Sequence, residues 1–359
     1  MLTKMILVIY PQVHDTKIAV FQYNSWIFFK TMKFPGEEAK KYSTVLEQEI
    51  PRTEDILHEL KENDIDLNEI TIVMGRGGLV KPIKSGIYEI NEKLKEDLRQ
   101  GESGLHETNL GGLIADRIAK MIPDARAFMA DPVVVDELED VARIAGHPMF
   151  ERKSVFHALN HKFAGRNFAK SINRQYEDLN LIIAHVGEGG ISVGAHKYGR
   201  VIDVNQAYDG DGPFSYFRSG SLPVGDLINV CYSGKYTREE LRHLLIHSGG
   251  LEAYLGTSNF NLIENKIKEG DHEAEFILKS MAYQMVKQIG AMYSILENPI
   301  DAIILSGNIF QSKAFTEEVK RYILKFGQVV ISPFVSDMDA LADNAMMIIK
   351  DEAEILEYK

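Results

Sequence analysis

Ile6-Leu-Val-Ile-Tyr10, Lys17-Ile-Ala-Val-Phe-Gln22 and Trp26-Ile-Phe-Phe-Lys30 read as strand, turn, strand, turn, strand, with Tyr-Asn-Ser at the second turn. The series returns late in the chain as Leu181-Ile-Ile-Ala-His-Val186, Ile191-Ser-Val-Gly-Ala-His196 and Arg200-Val-Ile-Asp-Val204, with Tyr-Gly-Arg at the second turn. Tyr23 and Tyr198 hold equivalent places, an offset of 175 residues (198 − 23) in a chain of 359. Each triplet is followed by helical patterns alternating with short apolar strands such as Ile70-Thr-Ile-Val-Met74 and Ile300-Asp-Ala-Ile-Ile-Leu305. Two readings stay open on pattern alone. Hairpins of this kind are common enough for the offset to be chance, or a sheet domain is duplicated, with a cleft between the halves where a ligand would meet both sets of turns.

Helical periodicity runs through 53–64, 109–121, 154–173, 237–246, 272–297, 311–326 and 337–350. In the long segment Ile277, Met281, Met285 and Met292 share one face, read as core because methionine fills irregular gaps, and Gly290 is expected to permit a close approach. Apolar residues make up 45% and charged residues 26% of the chain, which leaves little room for disorder. A net charge of −12 opposes binding to nucleic acid or an anionic membrane, so a polyanionic ligand must be held locally. The single cysteine, Cys231, excludes an intramolecular disulfide and suits a reducing compartment. The apolar run from Met5 to Tyr10 is too short for a signal peptide, and the expected location is the cytoplasm.

Several runs are candidates for chemistry. His185-Val-Gly-Glu-Gly-Gly-Ile-Ser192 lies between two strands, where glycines let backbone N–H groups approach a phosphate, although a plain glycine-rich hairpin would look the same. No Walker phosphate loop occurs. Asp209-Gly-Asp-Gly-Pro-Phe-Ser-Tyr-Phe-Arg-Ser-Gly220 is too polar for core, and its Arg218 is a candidate oxyanion clamp. Met74-Gly-Arg-Gly-Gly78 puts Arg76 just past a strand end, although surface arginines with no such role are far commoner. The pairs His157/His161 and His243/His247 have helical i, i+4 spacing but lack the glutamate of a zinc protease motif and a third ligand nearby. Asp131-Pro-Val-Val-Val-Asp-Glu-Leu-Glu-Asp140 is acidic enough for magnesium or general-base work, while charge at a helix N-terminus accounts equally for Asp136 to Asp140.

Taken together, Gly75-Arg-Gly-Gly78, His106-Glu-Thr-Asn-Leu-Gly-Gly112, Asp131 to Arg143, Phe156-His-Ala-Leu-Asn160, Gly199-Arg-Val-Ile-Asp-Val-Asn205, Asp209-Gly-Asp-Gly-Pro-Phe214 and Leu251-Glu-Ala-Tyr-Leu-Gly-Thr257 resemble the butyrate kinase branch of the acetate kinase family, from about Met5 to Ile349. The resemblance implies an α/β fold of two duplicated ribonuclease-H-like domains, mixed sheets flanked by helices with a cleft between them. That is the fold of the acetate kinase, sugar kinase, actin and heat-shock chaperone superfamily, usually dimeric in this branch. It places an N-terminal domain at 1–150 plus 333–359, with the first phosphate loop and acyl pocket. A C-terminal domain at 151–332 would hold the second phosphate loop, the adenosine site and the dimer contacts. The implied reaction is reversible phosphoryl transfer from ATP, with Mg2+, to a short-chain carboxylate such as butyrate or a branched relative.

By the same resemblance Arg76 and Arg218 hold substrate and transferring phosphoryl, Asp131 is the catalytic carboxylate and His185 the phosphoryl-facing histidine. Thr16, Lys17, Gly187, Gly189, Gly190, Ser306, Gly307 and Asn308 fall at the phosphate and nucleotide positions, Asn109 at the acyl pocket, and Asp337 at the acid near the final helix that serves the magnesium ion. Departures are concentrated in the loops. Where the family has Asn-Pro-Gly-Ser-Thr-Ser-Thr-Lys, this chain has Tyr10-Pro-Gln-Val-His-Asp-Thr-Lys17, and Asp15 puts a carboxylate where phosphates sit. Glu188 lengthens the second loop, and Ser306-Gly-Asn308 replaces Thr-Gly-Gly. Two functions follow as expectations: a butyrate kinase, or a non-catalytic relative that binds an acyl or nucleotide ligand or serves as a partner subunit.

Overall fold

The computed structural model describes residues 4–22, 25–187, 189–297 and 299–359, so Tyr23 of the repeat and Glu188 of the second glycine run lie outside the described residues. The chain divides into two compact units, Met1–Val135 with Ser336–Lys359, and Asp136–Val335. Unit 1 contains β1 (Met5–Pro11), β2 (Asp15–Gln22), β3 (Ser25–Lys33), β4 (Ile70–Arg76), β5 (Ile87–Glu89) and β6 (Arg126–Ala130). Unit 2 contains β7 (Asn180–Gly187), β8 (Gly190–Lys197), β9 (Arg200–Val204), β10 (Ala302–Ser306) and β11 (Val329–Ser332), and β12 (Ile355–Leu356) closes unit 1.

The sheets have the same plan. Unit 1 has the order β12-β5-β6-β4-β1-β2-β3 and unit 2 the order β11-β10-β7-β8-β9. In each, a three-stranded antiparallel meander (β1-β2-β3, β7-β8-β9) is extended from its first strand by parallel strands, β4 and β6 in one case and β10 and β11 in the other. The repeat in the strand pattern is therefore a duplication of topology, and the chance reading of the offset falls. Leu7, Val8 and Ile9 of β1 and Ile303, Ile304 and Leu305 of β10 are fully enclosed on both faces, as parallel strands covered by helices must be. The edge strand β3 reads differently: Trp26, Ile27 and Phe29 are exposed, and Lys30 and Lys33 blunt the edge.

Helices Glu49–Glu62, Thr108–Ala119, Ala158–Ser171, Arg238–His247, His272–Ile295, Lys313–Ile323 and Asp337–Ile349 fall where the periodicity places them. Helix Asp337–Ile349 packs on β1 and β4, and Ala158–Ser171 packs on β7 and β10, which are the equivalent strands of the two sheets. Ile277, Met281, Met285 and Met292 all enter the unit 2 core. Gly290 differs from expectation, because a Cβ there would meet only the Phe326 ring edge at 3.9 Å, so no close approach depends on it. Helices Glu92–Gln100, Val224–Cys231 and Phe260–Lys268 are additional. The first of these shows only Leu94 and Leu98 as its buried apolar residues, too short a stripe to stand out in the sequence. Among the described residues no helix is long and apolar enough to cross a membrane.

One close approach does set the geometry near Arg76. Gly75 of β4 and Gly111 of helix Thr108–Ala119 meet backbone to backbone, and a Cβ on Gly111 would run into the Arg76 carbonyl oxygen. Neither backbone can step aside within a packed sheet-helix layer. Gly111→Ala should therefore cost about 3 kcal/mol, whereas Gly36→Ala, in open space, should cost little. Urea unfolding of both variants checks this, and equal midpoints would mean the contact is soft.

Candidate active site

In unit 1 the expected residues gather at the C-terminal ends of the parallel strands, where ligands bind in open α/β sheets. Arg76 ends β4, in register with Ala130, so Asp131 is the next residue after its neighbour on β6. Arg76 is buried, and its Nε donates to Asp337 Oδ1 at 2.8 Å. Asp337 opens helix Asp337–Ile349, which is capped by Ser336 accepting from the Asp339 N–H. The Arg76 guanidinium also lies 6.0 Å from the Tyr10 ring centre, while its buried Nη1 has no hydrogen-bond partner among the described residues. Asp131 is fully buried with φ of 38°, and its Oδ1 accepts from the Ser85 hydroxyl at 2.6 Å and the Gly86 N–H at 2.9 Å. A positive φ in a residue other than glycine is strained backbone, of the sort that concentrates at functional positions. Asn109 is buried as well. Its Oδ1 accepts from the Leu79 N–H at 2.9 Å and its Nδ2 donates to the Leu98 and Gly104 carbonyls, so its amide braces the segment that follows Arg76.

The altered first loop is a tight turn closed by the Gln12 N–H on the Asp15 carbonyl at 2.8 Å. Beneath it sits Arg52, a residue the sequence did not single out. Its Nη1 donates to the Asp15 carbonyl (2.9 Å) and the Thr16 hydroxyl (2.8 Å), its Nη2 donates to Gln48 Oε1, and its plane lies 4.0 Å over the Phe34 ring. Burial pulls the Arg52 guanidinium down to about 10, against the opposing charges of Glu107, Asp15 and Asp55. Thr16 is thus buried and bonded from below, while Lys17 is half-buried beside the Tyr10 ring. Arg52 reads in sequence as an ordinary charge of helix Glu49–Glu62; only its hydrogen bonds to Asp15 and Thr16 at the start of β2 put it here.

In unit 2 the corresponding strand ends carry His185, Gly187 and Ser306. His185 Nδ1 lies 2.9 Å from Ser306 Oγ, and both residues are buried. Gly187 pairs with Gly190 across the β7–β8 turn. A Cβ on Gly187 would stand 3.0 Å from His157 Nε2 and His185 Nε2, and one on Gly189 would stand 2.9 Å from His157 Nε2. His157 at the start of helix Ala158–Ser171 therefore faces the glycine turn, a placement sequence reasoning missed although the residue was noticed in its i, i+4 pair. Arg218 approaches from the loop after β9, with its Cδ 3.1 Å from a Cβ on Gly190. Its Nη1 donates to the Tyr208 carbonyl at 2.7 Å, its guanidinium lies 5.2 Å from the Tyr208 ring centre, and its buried Nε has no partner among the described residues. Burial lowers the Arg218 guanidinium below its ordinary value. Gly307 packs on the Val186 carbonyl, and Asn308 is exposed at the start of the short helix Asn308–Gln311. Among the described residues no three His, Cys, Asp or Glu side chains are placed to hold a metal ion.

The two units thus form a duplicated α/β protein, each half presenting a buried arginine, a strand-end turn and a helix N-terminus. The chain belongs to the acetokinase family, whose pattern matches residues 147–353. It is 43% identical to butyrate kinase 2 of Clostridium acetobutylicum over 354 residues, 99% of each chain. Its fold is shared with the acetate kinase of Porphyromonas gingivalis (TM-score 0.79, 17% identity, 96% of this chain and 100% of that one). The propionate kinase of Francisella tularensis has the same fold (TM-score 0.75, 16% identity, 95% and 98%).

Proposed function

We propose that this protein is an ATP-dependent carboxylate kinase that phosphorylates butyrate or a branched short-chain relative, reversibly, to the acyl phosphate. The observation that carries the reading is the state of its two buried arginines. Arg76 and Arg218 are each tied to a protein acceptor on one side and each leave another buried guanidinium nitrogen unmatched. Unmatched buried donors are costly, and an anion relieves that cost. The full-length likeness to a butyrate kinase supports a carboxylate as acceptor.

In the reaction a carboxylate oxygen bonds to the γ-phosphorus of ATP as the bond to the β-phosphate oxygen breaks, and ADP leaves. A carboxylate is already ionised near neutral pH, so the protein needs to position it and neutralise charge more than to remove a proton. Arg76 would hold the acid and Arg218 the transferring phosphoryl group. His157 and His185, at the Gly187–Gly190 turn, would face the phosphates, and Ser306, Gly307 and Asn308 the nucleoside. Thr16 and Lys17 would supply the first phosphate loop, with Arg52 offsetting the Asp15 charge. Unit 1 would carry the acyl pocket around the segment that Asn109 braces. The donor set suits a magnesium ion that travels with the nucleotide. Asp131 and Asp337 already accept hydrogen bonds from Ser85, Gly86 and Arg76, and would orient the waters of such an ion rather than cage it. When bound, magnesium supplies charge neutralisation on the phosphate oxygens.

A reducing, cytoplasmic setting belongs to the same reading, supported by Cys231 as a free exposed thiol. So does a homodimer through unit 2, because helix Val224–Cys231 has no buried residue although Val224, Ile228 and the adjoining Tyr232 are apolar and exposed.

Purified protein with butyrate, ATP and magnesium in a coupled assay should form ADP; absence of turnover with any short acid would leave a non-catalytic ligand-binding relative. Arg76→Ala and Arg218→Ala should each lower kcat by about 10² or more with the fold intact, and circular dichroism alongside the assay separates the two effects. Restoring Asn, Gly, Ser and Ser at positions 10, 12, 13 and 15 should strengthen ATP binding, since it returns backbone access and removes a buried carboxylate oxygen that has no hydrogen-bond partner among the described residues. Calorimetric titration of ATP with magnesium into both forms reads this directly, and equal affinities would show the native turn to be harmless. Finally, sedimentation equilibrium should give a dimer that Ile228→Asp dissociates; a monomeric parent protein would remove the dimer from the proposal.

A further inference from the structure

Behind the Gly187–Gly190 turn a row of polar side chains runs inward from His157. His157 Nδ1 lies 2.8 Å from Ser192 Oγ, and the same oxygen lies 2.9 Å from His161 Nε2. His161 Nδ1 lies 3.1 Å from His196 Nε2, and His196 Nδ1 lies 2.5 Å from the Tyr176 hydroxyl. Ser192, His161 and His196 are fully buried and Tyr176 nearly so. The His161 and His196 ring planes are nearly parallel, at 17°, with centres 5.3 Å apart, as an edge-to-edge hydrogen bond between them requires. Beside them Lys162 is held by Glu137 at 2.7 Å and lies 5.7 Å from the Tyr176 ring centre. Nothing in phosphate binding requires a five-residue row this deep, and an apolar core would be the simpler construction at such positions.

A neutral imidazole donates through one ring nitrogen and accepts through the other, so a row of neutral imidazoles and hydroxyls has a direction. Burial first, and then neighbouring positive charge, pushes His161 and His196 well below the ordinary histidine range, which keeps both neutral. The far end decides the direction. A phenol is a stronger hydrogen-bond donor than an imidazole N–H, and an imidazole nitrogen is a better acceptor than a phenol oxygen. Tyr176 therefore donates to His196 Nδ1, His196 Nε2–H to His161 Nδ1, His161 Nε2–H to Ser192 Oγ, and the Ser192 hydroxyl to His157 Nδ1.

We propose that Tyr176, His196, His161 and Ser192 are positioning residues that hold His157 as its Nε2–H tautomer, so that the ring presents a proton donor to an anionic phosphoryl group at the Gly187–Gly190 turn. The opposite direction would aim a lone pair at that anion. The use of the donor rests on the kinase reading above, whereas the direction of the row does not.

Long-range proton–nitrogen correlation spectra of the intact protein, labelled with 15N-histidine and free of nucleotide, test the direction. His157, His161 and His196 should all carry the proton on Nε2 and a bare Nδ1. A proton on Nδ1 of neutral His157 would overturn the proposal, whatever the kinetics. Tyr176→Phe keeps the ring and deletes only the hydroxyl. It should give a mixed tautomer at His157 and lower kcat about tenfold, with the KM values for the acid and ATP changed less than about twofold. An unchanged tautomer and kcat in this variant would also overturn it. If the tautomers are as stated but no short acid is phosphorylated, the row stands and the kinase reading falls.

Discussion

The ion pair between Arg76 and Asp337 spans 261 residues of chain, and unit 1 is organised around it. A guanidinium that ends a central strand inside a packed layer loses its water and must be met by a carboxylate, or the charge would oppose folding. The carboxylate comes from the first turn of the last long helix, after the whole of unit 2 has been built. Docking that helix on β1 and β4 closes the sheet layer, and β12 then pairs with β5. The same contact leaves the buried Nη1 of Arg76 without a hydrogen-bond partner among the described residues. Stability therefore draws on a side chain that the proposed reaction would also use.

Unit 2 solves the equivalent problem with different chemistry. Its strand ends carry His185 and Ser306 in place of an arginine and an acid, and the helix that packs on them begins at His157. A histidine–serine contact replaces the ion pair, and Arg218 arrives from a separate loop held by the Tyr208 carbonyl. Asn205 fastens that loop to β8 by accepting from the Val193 N–H and donating to the Ile191 and Asp211 carbonyls. Duplication preserved the strand order while the polar groups at the strand ends diverged. This is the expected pattern when packing constrains the sheet and chemistry constrains its ends.

Much of the fold was legible in the sequence because it depends on local periodicity. Alternation and apolar runs marked β1, β2, β7, β8 and β10, and helical spacing marked the helices that cover them. Arg76, His185 and Arg218 were legible as candidates because glycines lie near them, and Asp131 because its stretch is acidic, while the roles of all four came from the family resemblance. Tertiary structure alone decided their partners. Asp337 on Arg76, Arg52 under Thr16, and Ser192 between His157 and His161 join positions 31 to 261 residues apart. No periodicity encodes such pairs, since hydrogen bonds between buried side chains depend on which faces of which elements meet. The sequence by itself determined a twice-repeated strand order and the residue types available at its ends. Only packing decided which of those residues are buried, which are satisfied, and which keep a buried donor unmatched among the described residues.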